Sequence, residues 1–284
     1  MALFEEITIH LPDGYPAYAR LWPAADARGA VLYLHGIQSH CGWFEASARR
    51  LVEAGFTVLQ PDRLGSGRNT RDKGHAESSA QLIDDAFACG DLLAERTACE
   101  KCHVLGVSWG GKLAAAMHAT HPHRTASLTL ITPGLFPLVG VSTAEMFRIG
   151  LSMVGSPHRL FDIPLNDPEL FTSVPERIAF LVADPLQLHQ ATAGFYLASR
   201  RMDKITAGLH RVSPAPTHLM LAADEHIIDN EKTRAFIIDL NWPNAVITTY
   251  QHSRHTLEFD PDRDAFLEDL VAWITNPTSY TSVE

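Results

Sequence analysis

The chain predicts an α/β fold, with a mostly parallel central sheet, helices on both faces and one helical insertion. Three observations carry this. Through residue 133, apolar runs of strand length alternate with stretches of helical spacing, the pattern of a parallel sheet covered on both sides. Runs such as "AVLYLHG" are unbroken rather than alternating, as expected of strands buried on both faces. The alternation stops after Pro133 and resumes at "THLMLAA". The expected organisation is therefore a core of residues 1–133 and 213–284, with residues 134–212 forming a helical cap.

Each element has its own signal. "EEITIHL" alternates, "PDGYP" turns and "AYARLW" returns, which reads as a hairpin. "AVLYLHG" is the first buried strand, and "FEASARRLVEAG" is a helix stopped by Gly55. "FTVLQPD" is the next strand. "SSAQLIDDAFACGDLLAE" is a helix with Leu82, Ile83, Ala86, Phe87 and Leu93 on one side. Strand "CHVLGV", helix "GGKLAAAMHATH" and strand "ASLTLITPG" follow. In the insertion, "MFRIGLSMVG", "RLFDIPL", "PERIAFLV" and "TAGFYLASRRM" read as short amphipathic helices separated by prolines. The core resumes with strand "THLMLAA", helix "NEKTRAFIIDL", strand "AVITTY" and helix "RDAFLEDLVAWI".

Composition narrows the function. A net charge of −10 and a pI near 5.8 argue against a general attraction to nucleic acid or anionic membrane. The N-terminal "MALFEEITIH" lacks the basic and apolar regions of a secretory leader. No apolar stretch reaches the roughly 18–20 residues that span a bilayer. A cytoplasmic protein is expected. Cys99 and Cys102 in "CEKC" have half-site spacing for zinc, but no second pair completes a site. They read, with Cys41 and Cys89, as ordinary thiols. His121 and His123 in "HPHR" read as a cationic helix end. No metal or organic cofactor is expected.

The chemistry concentrates in "GVSWGG", residues 106–111. Ser108 stands between a strand and a helix, the context of a GxSxG turn. So tight a turn strains its apex and leaves no room for side chains beside it, hence Gly106 and Gly110. The helix start behind the serine offers backbone N–H groups and a positive dipole end to a developing oxyanion. A hydroxyl needs a base, and the base an orienting acid; in this architecture they follow in the order Ser, acid, His. "QHSRHTLEFD" offers His252 and His255, of which His255 lies nearer the last helix. "LAADEHIIDN" offers Asp224, Glu225 and Asp229. Asp229 reads as the cap of the following helix, which leaves Asp224 and Glu225 as candidate acids. "YLHGIQSH" ends the first buried strand where a second oxyanion donor arises, so the backbone N–H groups of Ile37 and Trp109 are the expected oxyanion hole. A base at His35 or His40 would break the chain order.

"HGIQSH", "DRLGSGRN", "RDKGH", "GVSWGG", "EHIID" and "HTLE" together resemble the α/β-hydrolase superfamily, in the branch of monoacylglycerol lipases, lysophospholipases and serine-aminopeptidase-like hydrolases. The resemblance spans nearly the whole chain and is weakest in the insertion. Its pattern of an acid, one residue, two apolar residues and an aspartate falls on Glu225, with Asp224 the alternative. Here the sequence departs from the branch, which generally has aspartate at that position. Trp109 is a second departure: the branch more often carries a smaller residue there, and the indole is expected to narrow the acyl pocket.

The resemblance implies an α/β-hydrolase fold and a serine ester hydrolase working through an acyl-enzyme, with Ser108, His255 and Glu225 as its triad. The expected partner is a small, lipophilic ester. Leu135, Phe136, Met146, Phe147, Met153, Phe161, Phe180, Phe195 and Tyr196 give the insertion either an apolar underside for an acyl chain or a small core of its own. Exposed apolar groups there would give weak membrane or micelle contact. The same residues also suit a thioesterase, an amidase or aminopeptidase, or a carbon–carbon bond hydrolase; a non-catalytic receptor on this scaffold is the alternative of a different class.

Overall fold

The computed structural model describes residues 4–280; the first three residues of the N-terminal stretch read above for a leader lie outside them. An eight-stranded sheet forms the centre. Its strands are β1 (Glu5–His10), β2 (Pro16–Trp22), β3 (Gly29–Leu34), β4 (Phe56–Pro61), β5 (Cys102–Val107), β6 (Thr125–Ile131), β9 (Thr217–Ala222) and β10 (Ala245–Tyr250). Their spatial order is β1-β2-β4-β3-β5-β6-β9-β10. The hairpin β1–β2 is antiparallel and joins β4 antiparallel; every later pairing is parallel.

The helices of the core are α1 (Glu45–Glu53), α2 (Ser79–Thr97), α3 (Trp109–Thr120), α7 (Asn230–Asp239) and α8 (Arg263–Thr275). From β3 the chain steps through α1 to β4 on one side, then back through α2 to β5 on the other. Right-handed crossovers in opposite directions put α1 and α2 on opposite faces. All residues of β3, β4 and β9 are therefore buried, as their unbroken apolar runs predict. Gly55 ends α1 with φ +88°, the left-handed residue that closes a helix. Asp229 caps α7, accepting from the Lys232 amide at 3.0 Å. The reversal between β3 and β5 opens a crevice at the carboxyl ends of the strands, where such sheets bind ligands.

Between β6 and β9 the chain forms α4 (Thr143–Ser152), α5 (Pro175–Ala183) and α6 (Ala193–Thr206). One expectation is corrected here. "RLFDIPL" is not a helix: Leu160–Asp162 is a strand, β7, antiparallel to β8 (Gln190–Thr192). Three-residue strands show no periodicity, and pairing with a distant segment decides their conformation.

The insertion's large apolar groups divide between the two expected roles. Leu135 and Phe195 join the main core, and Phe161 packs with Ile149 and Ala193 in a small core of its own. Met146 and Tyr196 line a cavity beside Ser108. Phe147 remains 68% exposed.

Candidate active site

Ser108 occupies the turn from β5 to α3 with φ +54° and ψ −122°, a strained backbone for a residue with a side chain. Its amide donates to Ile131 O, and its carbonyl accepts from the Gly111 and Gly134 amides. The flanking glycines are required by contact. A Cβ on Gly106 would lie 2.2 Å from Gly110 O, and one on Gly110 would lie 2.3 Å from Leu34 O and 2.5 Å from His35 O. The Trp109 amide is the first of α3, among the four that a helix leaves without an internal acceptor.

Ile37 lies in the loop after β3, beside β5 in the sheet, and lines two cavities together with Ser108. This loop is held from below. Arg63 donates its amide to His35 Nε2 at 2.9 Å, and His35 Nδ1 lies 2.8 Å from Gly36 O. Since Nε2 accepts, Nδ1 carries the proton and the ring is neutral. Burial holds the His35 pKa down to about 4, in keeping with that neutral form. The Arg63 guanidinium donates to Ile37 O at 3.2 Å. It also stacks on Trp109 and Phe195, 5.0 and 4.6 Å from their ring centres. Burial lowers its pKa to about 10. His35 and His40 are thus structural: His40 Nε2 pairs with Asp184 at 3.1 Å. Arg63 was not singled out from the sequence, although it adjoins Asp62 in the "DRLG" stretch.

The structure brings His255 and Glu225 together. His255 Nδ1 lies 2.8 Å from Glu225 Oε2 and 3.0 Å from Oε1, and each side chain is only 1% exposed. Oε1 also accepts from the Ile227 amide at 2.7 Å. Asp224 is not brought in. Its carboxylate sits at the surface, bonded to Arg254 at 3.0 Å and His226 at 2.9 Å, and the Arg254 hydrogen bond lowers its pKa. His252 is likewise outside, 76% exposed and paired with Asp262.

His255 and Ser108 line the same small cavity. His255 Nε2 is buried there without a hydrogen bond, to the Ser108 hydroxyl or to any other described group. Such contacts are often loose in unliganded sites and tighten around substrate. Residues outside the sequence reading fix this histidine. Thr132 Oγ1 donates to His255 O at 2.9 Å, the Thr256 amide donates to Phe171 O at 2.8 Å, and the Phe171 ring meets the imidazole edge-on at 6.1 Å.

A second cavity of about 210 Å³ opens from Ser108 toward the insertion. Trp109 lines it without projecting freely: its Nε1 donates to Ser199 on α6 at 2.9 Å, and its ring packs on Phe195 at 5.1 Å. A larger space of about 660 Å³ lies between α1 and α8. It contains none of Ser108, Glu225 and His255, so volume alone would mislead.

Two groups of three possible metal ligands, His40–Cys41–Asp62 and His75–Glu77–His158, sit elsewhere. No member of either lines a cavity at Ser108. The four cysteines are free thiols, and burial raises Cys102 to about 11.

The chain is similar to known proteins in sequence and in fold. The monoacylglycerol lipase of Mycolicibacterium smegmatis is 24% identical over 258 residues, covering 89% of this chain and 90% of that protein. The crystal structure of Paleococcus ferrophilus monoacylglycerol lipase superposes with a TM-score of 0.84 at 20% identity, over 93% of this chain and 100% of that one. A Bacillus coagulans carboxyl esterase in complex with glycerol gives 0.83 at 17%, over 98% and 100%. These likenesses show the α/β-hydrolase fold that the sequence predicts. The profile of the family described as "Serine aminopeptidase, S33" matches residues 25–262, and the chain belongs to that family.

Proposed function

We propose that this chain is a serine hydrolase of carboxylic esters with a lipid-like acyl or alcohol part. Ser108 is the nucleophile, His255 the base and Glu225 the acid that orients it. The observation that carries the reading is the buried His255–Glu225 pair, 2.8 Å apart, whose histidine lines one cavity with Ser108. Ser108 Oγ attacks the ester carbonyl as His255 Nε2 takes its proton. Glu225 fixes the Nδ1–H tautomer and stabilises the imidazolium. The Ile37 and Trp109 amides receive the oxyanion; losing one such donor costs about 3 kcal/mol of transition-state stabilisation. His255 then protonates the leaving alcohol, and water repeats the attack on the acyl-enzyme.

The lipid-like substrate is supported by the relatives' names and by the apolar part of the 210 Å³ cavity. Residues 134–212 act as the cap over it. On α4, Phe147, Leu151 and the following Val154 are 68%, 60% and 92% exposed, an apolar face suited to weak contact with micelles or membranes. Among the described residues no helix is long and apolar enough to cross a membrane. A cytoplasmic location fits four free cysteines.

The test is Ser108→Ala beside wild type with a fluorophosphonate probe. Wild type is expected to gain one adduct on the peptide carrying Ser108, and the variant none, while it keeps its thermal unfolding transition. Wild-type turnover of a chromogenic ester by the variant would end the assignment.

A further inference from the structure

The cavity at Ser108 is not uniformly apolar. Val139, Met146, Ile163 and Ile227 give it an apolar part, but Lys112, Arg200 and Asp203 also line it. Lys112 stands one helical turn after Ser108 on α3, and its side chain is only 7% exposed. Around it Leu113, Ala114, Ala115 and Ala116 are buried, so the site would accept an apolar residue. Lysine is rarely buried unless paired. Here Nζ lies 2.5 Å from Asp203 Oδ1 on α6. An ammonium has three donors, and one carboxylate oxygen does not exhaust them. Arg200 is exposed and makes no ion pair with a carboxylate among the described residues. The charged part of the lining therefore holds two cations and one anion.

Resting on the reading of Ser108 as nucleophile, we propose that the preferred acyl group carries a carboxylate of its own, received by Lys112, about 6 Å along α3 from the serine, and by Arg200 on α6. A helical side chain leans toward the helix N-terminus, which brings the lysine stem back toward the serine turn. A plain alkyl chain laid here covers a charged pair and gains little from it. A carboxylate makes charge-assisted hydrogen bonds to both cations while its methylene stem lies on the apolar part. The competing role of the Lys112–Asp203 pair, a strut between α3 and α6, gives no part to Arg200.

The experiment compares 4-nitrophenyl esters of hexanoate, of adipate with its far carboxylate free, and of adipate with that carboxylate methylated. All samples are titrated in parallel with the fluorophosphonate probe. Wild type is expected to show kcat/KM at least tenfold higher for the free adipate than for the methylated one, chiefly through KM, with the ratio shrinking as salt rises. Arg200→Gln, an exposed site where folding is secure, is expected to lower the ratio at least fivefold. Lys112→Met is expected to lower it further, judged only on probe-competent protein. A wild-type ratio of one or below in labelled protein overturns the proposal, as does a ratio unmoved by Arg200→Gln. Absence of probe labelling overturns the Ser108 reading itself and takes this inference with it.

Discussion

Replacing Glu225 by glutamine is the most demanding test of the proposed roles. The two side chains have equal size, so packing is kept and only charge and hydrogen bonding change. Glu225 Oε1 accepts from the Ile227 amide at 2.7 Å, and Oε2 lies 2.8 Å from His255 Nδ1. In the variant the amide oxygen keeps the Ile227 N–H, which turns the amide nitrogen toward Nδ1. A donor there forces the proton onto Nε2, the nitrogen that must accept from Ser108. The imidazolium of the transition state also loses its counter-charge. Two unit charges about 4 Å apart at an effective dielectric constant of 20 interact by about 4 kcal/mol, or about three powers of ten in rate. With the tautomer reversed as well, kcat is expected to fall roughly 10³–10⁴-fold. Asp224→Asn is the control. Asp224 is itself 53% exposed, and surface pairs contribute about 0–1 kcal/mol, so kcat is expected to change by about twofold. The assay is steady-state hydrolysis of 4-nitrophenyl butyrate, with thermal unfolding of each protein. Glu225→Gln retaining a tenth of wild-type kcat, or Asp224→Asn proving the more damaging, would refute the reasoning.

Other outcomes follow from the same structure. Gly110→Ala places a methyl against two backbone carbonyls; it is expected to destabilise by about 3 kcal/mol or more in urea unfolding and to abolish probe labelling. Burial holds His35 and His103 down to about 4 and His218 to about 3, below the unfolded value of about 6.5. The unfolded chain then binds more protons in this window, so their stabilisation is complete above about pH 6.5 and drains away as pH falls through 4. A urea midpoint unchanged between pH 7 and pH 4.5 would contradict this linkage. Phe147→Ser with Leu151→Ser is expected to slow hydrolysis of micellar esters several-fold while leaving monomeric butyrate esters within about twofold; equal effects on both would remove α4 from the interfacial role.

What was legible in the sequence is what is local. The glycines around Ser108 announce themselves because the clash they avoid is with residues a few positions away or on the adjoining strand, and the core strands because they are apolar on both faces. The sequence favours His255 over His252 by its place before the last helix, while the partners of the two rings, Glu225 and Asp262, are seen only in the structure. The pair Asp224 and Glu225 shows the limit clearly. Adjacent residues point apart, and which one turns inward depends on Arg254, thirty positions later, drawing Asp224 to the surface. Arg63, Thr132 and Phe171 were not found, since a group that braces a loop from another part of the chain leaves no periodic trace. β7 and β8 were missed for the related reason that each is too short to alternate.

The insertion does two different jobs, and the distinction bears on how the cavity opens. Phe171 and its neighbours belong to the support of His255: the Ser173 amide and Thr172 Oγ1 both donate to Asp260 Oδ1, while Asp260 Oδ2 holds the Arg254 amide at 2.6 Å. On the other side, α6 is tied to the serine turn through Ser199–Trp109 and through Phe195 under the Arg63 guanidinium. Displacing either would disturb the residues that must hold still during acyl transfer. Among the described residues helix α4 makes no hydrogen bond to the serine turn or to the support of His255, and Ile149 holds it to Phe161 and Ala193 in the small core. Only Ile149 and Ser152 along it are buried, yet Met146 lines the cavity. An element that borders the site, packs lightly and shows an apolar outer face is the one that can move at small cost. Opening by α4 alone would widen the entrance while leaving the His255–Glu225 pair and the loop of Ile37 in place.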